Sequence, residues 1–296
     1  MSKAREYIVE KIKALRLPLV TIEVIKEEVD QMYLSENRKG LYLRGKVPPK
    51  AYPTKLAKQM IHSGDLDVTA RQGVFRVPSR EPLPTQQMIS LADPYIYVAY
   101  LSAMQRWGLT NRQPQVFMFA RPNKTIIKSL KKDKTNDLNL LSEHIIELSS
   151  DHRSIKNILK RYEANNIQIT ETKYPSKTTW LGGEYTRIST QASTFIDMLY
   201  RPDLCGGMAH VIEVWQEHLR GRGPIVLNEL INLIENSSSQ ILKVRAGYLL
   251  TEKIKINDPK IQKWKKFAAR GGSRKLDPDK PYANKFSEEW MLSLNV

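Results

Sequence analysis

The chain has 296 residues, 41 % of them hydrophobic, which is enough apolar material for a sizeable core and too much for global disorder. Lys and Arg number 47 against 31 Asp and Glu, and the net charge of +16 points to phosphate or an acidic surface as a partner, the alternative being a basic protein with no anionic ligand. Its one cysteine, Cys205, excludes an intramolecular disulfide and a cysteine-built metal cluster; with no signal peptide or membrane span in view, a soluble protein of the reducing cytoplasm is expected.

The charge is unevenly placed. Residues 1–80 hold 16 Lys and Arg against 9 Asp and Glu, residues 253–285 hold 11 against 3, and the stretch between is nearly balanced. Two basic ends around a neutral middle suggest two surfaces that meet phosphate.

In chain order, residues 4–15 carry Tyr7, Ile8, Ile12 and Leu15 at helical spacing. Pro18 stops that helix, and Thr21 can cap a second one through Val24, Ile25, Val29 and Met32. Residues 35–50, with Gly40, Gly45 and Pro48-Pro49, read as a loop. A third helix follows from Thr54, with Leu56, Ala57, Met60 and Ile61 on one side, and Gly64 suits the left-handed position after its end. Residues 66–78 then read as two short strands around a turn at Gly73. Three helices followed by a hairpin within 80 residues form the pattern of a winged helix-turn-helix, although an ordinary small helical domain ending in a hairpin has the same pattern.

On that reading Lys50, Tyr52, Thr54, Lys55, Lys58 and Gln59 lie on or just before the recognition helix. Lys58 and Gln59 can bond base edges, while Lys50 and Lys55 are suited to phosphates. Arg71, Gln72 and Arg76 belong to the wing, where Arg beside Gly can approach the backbone or enter a minor groove.

Residues 81–93 read as a linker, and 94–296 as a larger mixed α/β domain, so that the whole chain is expected to be α+β. Within that second domain a helix is expected over 94–107, strands over 115–120, 145–148, 167–174 and 185–188, and a polar loop over 123–137. Helices are expected over 189–200, 208–219, 226–236 and 240–252. In the first of these, Asp197 can accept hydrogen bonds from a neighbouring backbone or from Arg201. The basic segment near the end interleaves Lys263, Lys265, Lys266, Arg270, Arg274 and Lys275 with Trp264 and Phe267. Such aromatics can anchor a helix while the cations stay outside, which suggests a second nucleic-acid contact.

Motifs for chemistry are weak. The five histidines form no HExxH pair, and His210 and His218 are eight residues apart, too far to share a metal without other ligands. Gly271-Gly272-Ser273 followed by Asp277 and Asp279 has a superficial nucleotidyltransferase look, but Pro278 and the short spacing leave no room for the strand that such a site needs. Asp151 with Glu171 and Lys173 keeps a metal-dependent nuclease open as a minor alternative.

Several stretches in order resemble a known family. They are GVFRVP at 73–78, PYIYVAYLSAMQRWGLT at 94–110, RISTQASTFIDMLYRPDLCGGMAHVIEVW at 187–215, VRAGYLL at 244–250 and the Trp-x-Leu-x-Leu-Asn ending at 290–295. Together they make the chain similar to AbiEi, the antitoxin of AbiE-type (type IV) toxin–antitoxin systems of abortive infection. The resemblance implies a winged helix followed by a larger domain, with two roles. One is repression of the protein's own operon through double-stranded operator DNA, with inverted repeats. The other is neutralisation of a nucleotidyltransferase-like toxin, without need of a stable complex. No enzymatic activity, cofactor or metal is expected, and a stand-alone winged-helix regulator remains the alternative from sequence.

Overall fold

The computed structural model describes residues 3–15, 17–35, 40–41, 43, 45–68, 73–78, 84–93, 95–132, 166–182, 184–221, 224–269 and 274–296. The fold is mixed α+β. The chain divides into two compact units: 1–96 with 124–165 and 182–186, and 97–123 with 166–181 and 187–296. Among the described residues no helix is long and apolar enough to cross a membrane.

In the first unit, helix α1 (Lys3–Ala14) buries Ala4, Ile8 and Ile12. Strand β1 (Leu19–Thr21) leads directly into α2 (Ile22–Leu34), whose first turn is capped by the Thr21 hydroxyl accepting from the Val24 N–H. Helix α3 (Tyr52–His62) starts with Pro53 in its first turn, and Gly64 follows it at φ +76°. The apolar stripes of the three helices meet in one core that includes Ile8, Ile25, Val29, Met32, Leu56 and Met60.

Strands β2 (Asp67–Val68) and β3 (Val74–Arg76) form the expected hairpin, but the sheet has a third strand, with β3 central between β1 and β2. Pairing of Leu19, Val20 and Thr21 with Arg76, Phe75 and Val74 had no sequence signal. Three residues are too few to show a period, and only the distant partner makes them a strand. The stretch read as a linker contains α4 (Thr85–Ala92), and Leu91 from it packs with Leu17, Leu19 and Val74.

The second unit is built on a five-stranded sheet ordered β6-β5-β4-β8-β7, from β4 (Tyr97–Val98), β5 (Phe117–Pro122), β6 (Ile167–Thr172), β7 (Thr178–Trp180) and β8 (Arg187–Ser189). The helix expected over 94–107 therefore begins later, as α5 (Tyr100–Arg106). Tyr97 and Val98 are drawn into the middle of the sheet, between an antiparallel and a parallel neighbour. The loop expected over 123–137 is α6 (Lys124–Lys132) as far as it is described, a helix of the first unit, with Ile127 buried. The strand expected over 145–148 lies outside the described residues.

Helices α7 (Gln191–Tyr200), α8 (Met208–Gly221), α9 (Pro224–Asn236) and α10 (Gln240–Tyr248) follow in the order read from sequence. Between α7 and α8 a 3-10 turn at Pro202–Cys205 ends on Gly206 at φ +85°. The α10 segment widens into a π-turn over Leu249–Lys253. A short helix α11 (Pro259–Lys263) and a hairpin of β9 (Phe286–Ser287) and β10 (Leu292–Ser293) complete the unit.

Two buried side chains join the C-terminal segment to these helices. Arg245 of α10 donates to the carbonyls of Leu199 (3.0 Å) and Lys275 (2.8 Å). Trp290 is fully buried, and its indole N–H donates to the Thr251 hydroxyl at 2.9 Å. The Trp290 ring lies so close over Gly247 that a Cβ there would sit 2.2 Å from it. Gly247→Ala should therefore destabilise the protein by about 1–3 kcal/mol, the usual cost of overpacking, read as a lower urea midpoint.

Candidate nucleic-acid interface

The side of α3 that faces outward is determined by the side that is buried. Leu56, Ala57 and Met60 are within 2 % of complete burial, and Thr54, Lys55, Lys58 and Gln59 stand exposed opposite them. These four residues line an open concavity of about 630 Å³ together with Ala51, His62 and, from α1, Arg5. Among the described residues its lining carries no carboxylate. Arg5 is held from behind by Asp65, with Nε 3.8 Å from the carboxylate. Asp65 itself is fixed by the Ser63 hydroxyl at 2.6 Å, just past the end of α3.

Besides Ala51, two members of this surface, His62 and Arg5, were not expected from sequence. His62 follows Lys58 by four residues and was legible as part of the same face. Arg5 was not, because only the packing of α1 beside α3 brings it there.

Two of the predicted residues lie off the concavity. Lys50 is exposed in the turn before α3 but does not line it. Tyr52 is half-buried and meets Tyr33 edge-on, with centroids 6.2 Å apart, and burial, with Tyr33 beside it, raises its hydroxyl pKa. It braces the helix against the core rather than presenting its ring outward.

In the hairpin, Arg76 is exposed but ion-paired with Asp67, its cross-strand partner in register. Gly73 has φ +79°, and its carbonyl accepts from the Ile22 N–H at 2.8 Å. Arg71 and Gln72 lie outside the described residues.

The C-terminal basic segment is anchored by Trp264, which is 1 % exposed and donates to Glu235. Lys263 and Lys266 are exposed, with Lys266 over the Phe267 ring at 5.0 Å. Three of the other cations have intramolecular partners. Lys265 pairs with Glu289, Arg274 donates to the Phe267 carbonyl, and Lys275 donates to the Lys280 carbonyl at 2.7 Å. Arg270 lies outside the described residues.

Several of the residues weighed for chemistry have structural partners, while Gly271, Gly272 and Ser273 lie outside the described residues. His210 and His218 of α8 reach successive residues of one loop, the Thr110 hydroxyl at 3.0 Å and the Leu109 carbonyl at 3.1 Å. Glu171 lies on β6 in register with Arg121, while Lys173 falls just beyond the strand; Asp151 lies outside the described residues. Asp277 is buried and accepts from the Asp279 N–H, and its own N–H donates to Asn295.

No protein-family model matches the chain, and no curated protein matches it. A solved structure, that of the RV2827C protein from Mycobacterium tuberculosis, is similar over 98 % of this chain and 90 % of its own, at 12 % identity and a TM-score of 0.43. At that level the likeness bears on neither fold nor function.

The Arg201 backbone N–H donates to the Asp197 carbonyl of α7 at 2.9 Å, while its side chain forms a bidentate pair with Asp203, two residues on. The Asp197 carboxylate accepts from the Ser176 hydroxyl at 2.6 Å. Burial pushes its pKa up to about 7, against the opposing pull of hydrogen bonds from Ser176 and Ser189. The folded state thus holds a proton that the unfolded chain releases at lower pH, so this contribution to stability is present at acid pH and is lost as pH rises through about 7. Asp197→Asn should flatten that part of the pH dependence, measured as urea midpoints of parent and variant between acid and mildly alkaline pH.

Proposed function

We propose that the first unit is a winged helix-turn-helix, with α3 as recognition helix and the β2–β3 hairpin as wing, and that the chain is a DNA-binding antitoxin that represses its own operon. The observation that carries this reading is the α3 face. Thr54, Lys55, Lys58, Gln59 and His62 stand on the outward side of a helix whose other side is locked into a core, and Arg5 adds a further cation at the same concavity. A rigid helix with cations and amides on one face is what a major groove admits.

In this reading Lys58 and Gln59 meet base edges, and Lys55 and Arg5 neutralise phosphates on either side. The three-stranded sheet supports the same assignment. β1 joins the hairpin to the start of α2, so the wing is built onto the helices rather than attached as a free loop. In the C-terminal segment Lys265, Arg274 and Lys275 are engaged within the protein, so a second phosphate contact there would fall to the exposed Lys263 and Lys266.

The antitoxin role, toward a nucleotidyltransferase-like toxin, rests on the resemblance of residues 73–78, 94–110, 187–215, 244–250 and 290–295 to the AbiEi family. No catalysis is assigned to the chain.

The test is a gel-shift titration against duplex DNA from upstream of the protein's own gene, at several salt concentrations. The parent should bind with a steep salt dependence. Lys55→Ala with Lys58→Ala should bind more weakly and lower the log–log slope by about 0.9 for each phosphate that is no longer neutralised. Equal affinity and slope in parent and variant would remove α3 from the interface.

A further inference from the structure

The connection from β6 to β7, residues 173–177, joins opposite edges of the five-stranded sheet, because β6 and β7 are its two outer strands. It is fastened at its middle. The Ser176 N–H donates to the Tyr97 hydroxyl at 3.0 Å, and the Ser176 hydroxyl donates to Asp197 at 2.6 Å. Tyr174 lies flat on Tyr200, with centroids 4.4 Å apart and planes 5° from parallel. Lys177 is held at the rim by Glu229 at 3.3 Å.

Between this strap and helices α7, α9 and α10 lies a second concavity, of about 340 Å³. That volume is at the small end of the roughly 300–1,000 Å³ range of small-molecule sites. The lining brings together three chemistries. Lys173 and Lys177 supply two ammonium groups, the second shared with Glu229 at the rim, and among the described residues no carboxylate is part of the lining itself. Tyr174, 49 % exposed, offers a ring already stacked on its other face. Asn236 and Ser238 add amide and hydroxyl groups that can both donate and accept.

We propose that this groove binds a nucleoside diphosphate, with the phosphates between Lys173 and Lys177 and the base against the Tyr174–Tyr200 pair. Ammonium groups neutralise phosphate oxygens, and a planar base gains most from a ring that is already fixed, because no side-chain freedom is lost on stacking. An anion alone would make no use of the ring, and an apolar ligand would leave the two lysines unused. The site lies within the second unit and is independent of the α3 face.

The test is isothermal titration of the full chain with ADP, GDP, CDP and UDP in turn, and with inorganic pyrophosphate, at constant ionic strength. At least one of the four should bind saturably at one site, and more tightly than pyrophosphate. Its affinity should fall by about tenfold or more in Lys173→Ala with Lys177→Ala, and by roughly tenfold in Tyr174→Ala, in line with the loss of one stacked base. Lys55→Ala with Lys58→Ala should bind it as the parent does. All these side chains are exposed, so the variants should keep a cooperative thermal transition above the temperature of the titration, which excludes misfolding as the cause. The proposal is overturned if none of the four binds saturably. It is equally overturned if pyrophosphate binds as tightly as the nucleotides with no effect of Tyr174→Ala, or if binding is lost only in the Lys55 and Lys58 variant.

Discussion

The burial of Leu56, Ala57 and Met60 against α1 and α2 is the constraint from which the proposed interface follows. All three are at most 2 % exposed and belong to the core of the first unit. Removing one large side chain from such a core costs about 2–5 kcal/mol, a large share of a typical domain's stability. Turning α3 about its axis would withdraw the whole stripe and bring Lys55 or Lys58 toward the core, at the further cost of burying a charge. The helix therefore has one stable orientation, and that orientation presents Thr54, Lys55, Lys58 and Gln59 together. Arg5 reaches the same concavity because Ala4, Ile8 and Ile12 set the facing of α1 in the same way. Preorganisation of this kind allows a surface to bind without first ordering the helix that carries it.

The second unit is held by polar groups placed deep in an otherwise apolar core. Arg245 is 7 % exposed and meets two backbone carbonyls; its burial pulls its pKa down to about 10, so it keeps its charge at neutral pH. Trp264 and Trp290 anchor the basic C-terminal stretch and the final hairpin to α9 and to the α10 segment. Three of the cations between those anchors, Lys265, Arg274 and Lys275, are engaged within the protein, while Lys266 stands exposed. A run of basic residues in a sequence reads as a surface waiting for phosphate, but here Lys265 and Arg274 help to fasten the segment that carries them.

How much could be read in advance depended on the range of the interaction that decides each element. Helices α1, α2 and α3 were legible because period and capping are local, as the Thr21 cap and Gly64 illustrate. The exposed face of α3 was legible for the same reason, since it is the complement of a periodic apolar stripe. Strand β1 was not, because Leu19–Thr21 becomes a strand only through pairing with residues more than fifty positions away. Tyr97 and Val98 were absorbed into an expected helix for a related reason: their neighbours in the sheet come from residues 119–120 and 188. Arg5 and the strap at 173–177 lay beyond sequence reasoning, since each acquires its surroundings only when separate elements pack. Charge partners were the least legible of all, as Asp67 opposite Arg76 and Glu289 beside Lys265 show.

The central claim, that the exposed face of α3 meets DNA, is tested most directly by lysine reactivity in the bound state. The protein would be treated with an acetylating reagent alone and in complex with duplex DNA from upstream of its gene, and modification read by mass spectrometry at each lysine. Lys55 and Lys58 should become protected on DNA binding, while Lys173 and Lys177 stay as reactive as in the free protein. Full reactivity of Lys55 and Lys58 in a complex shown to be intact would contradict the account.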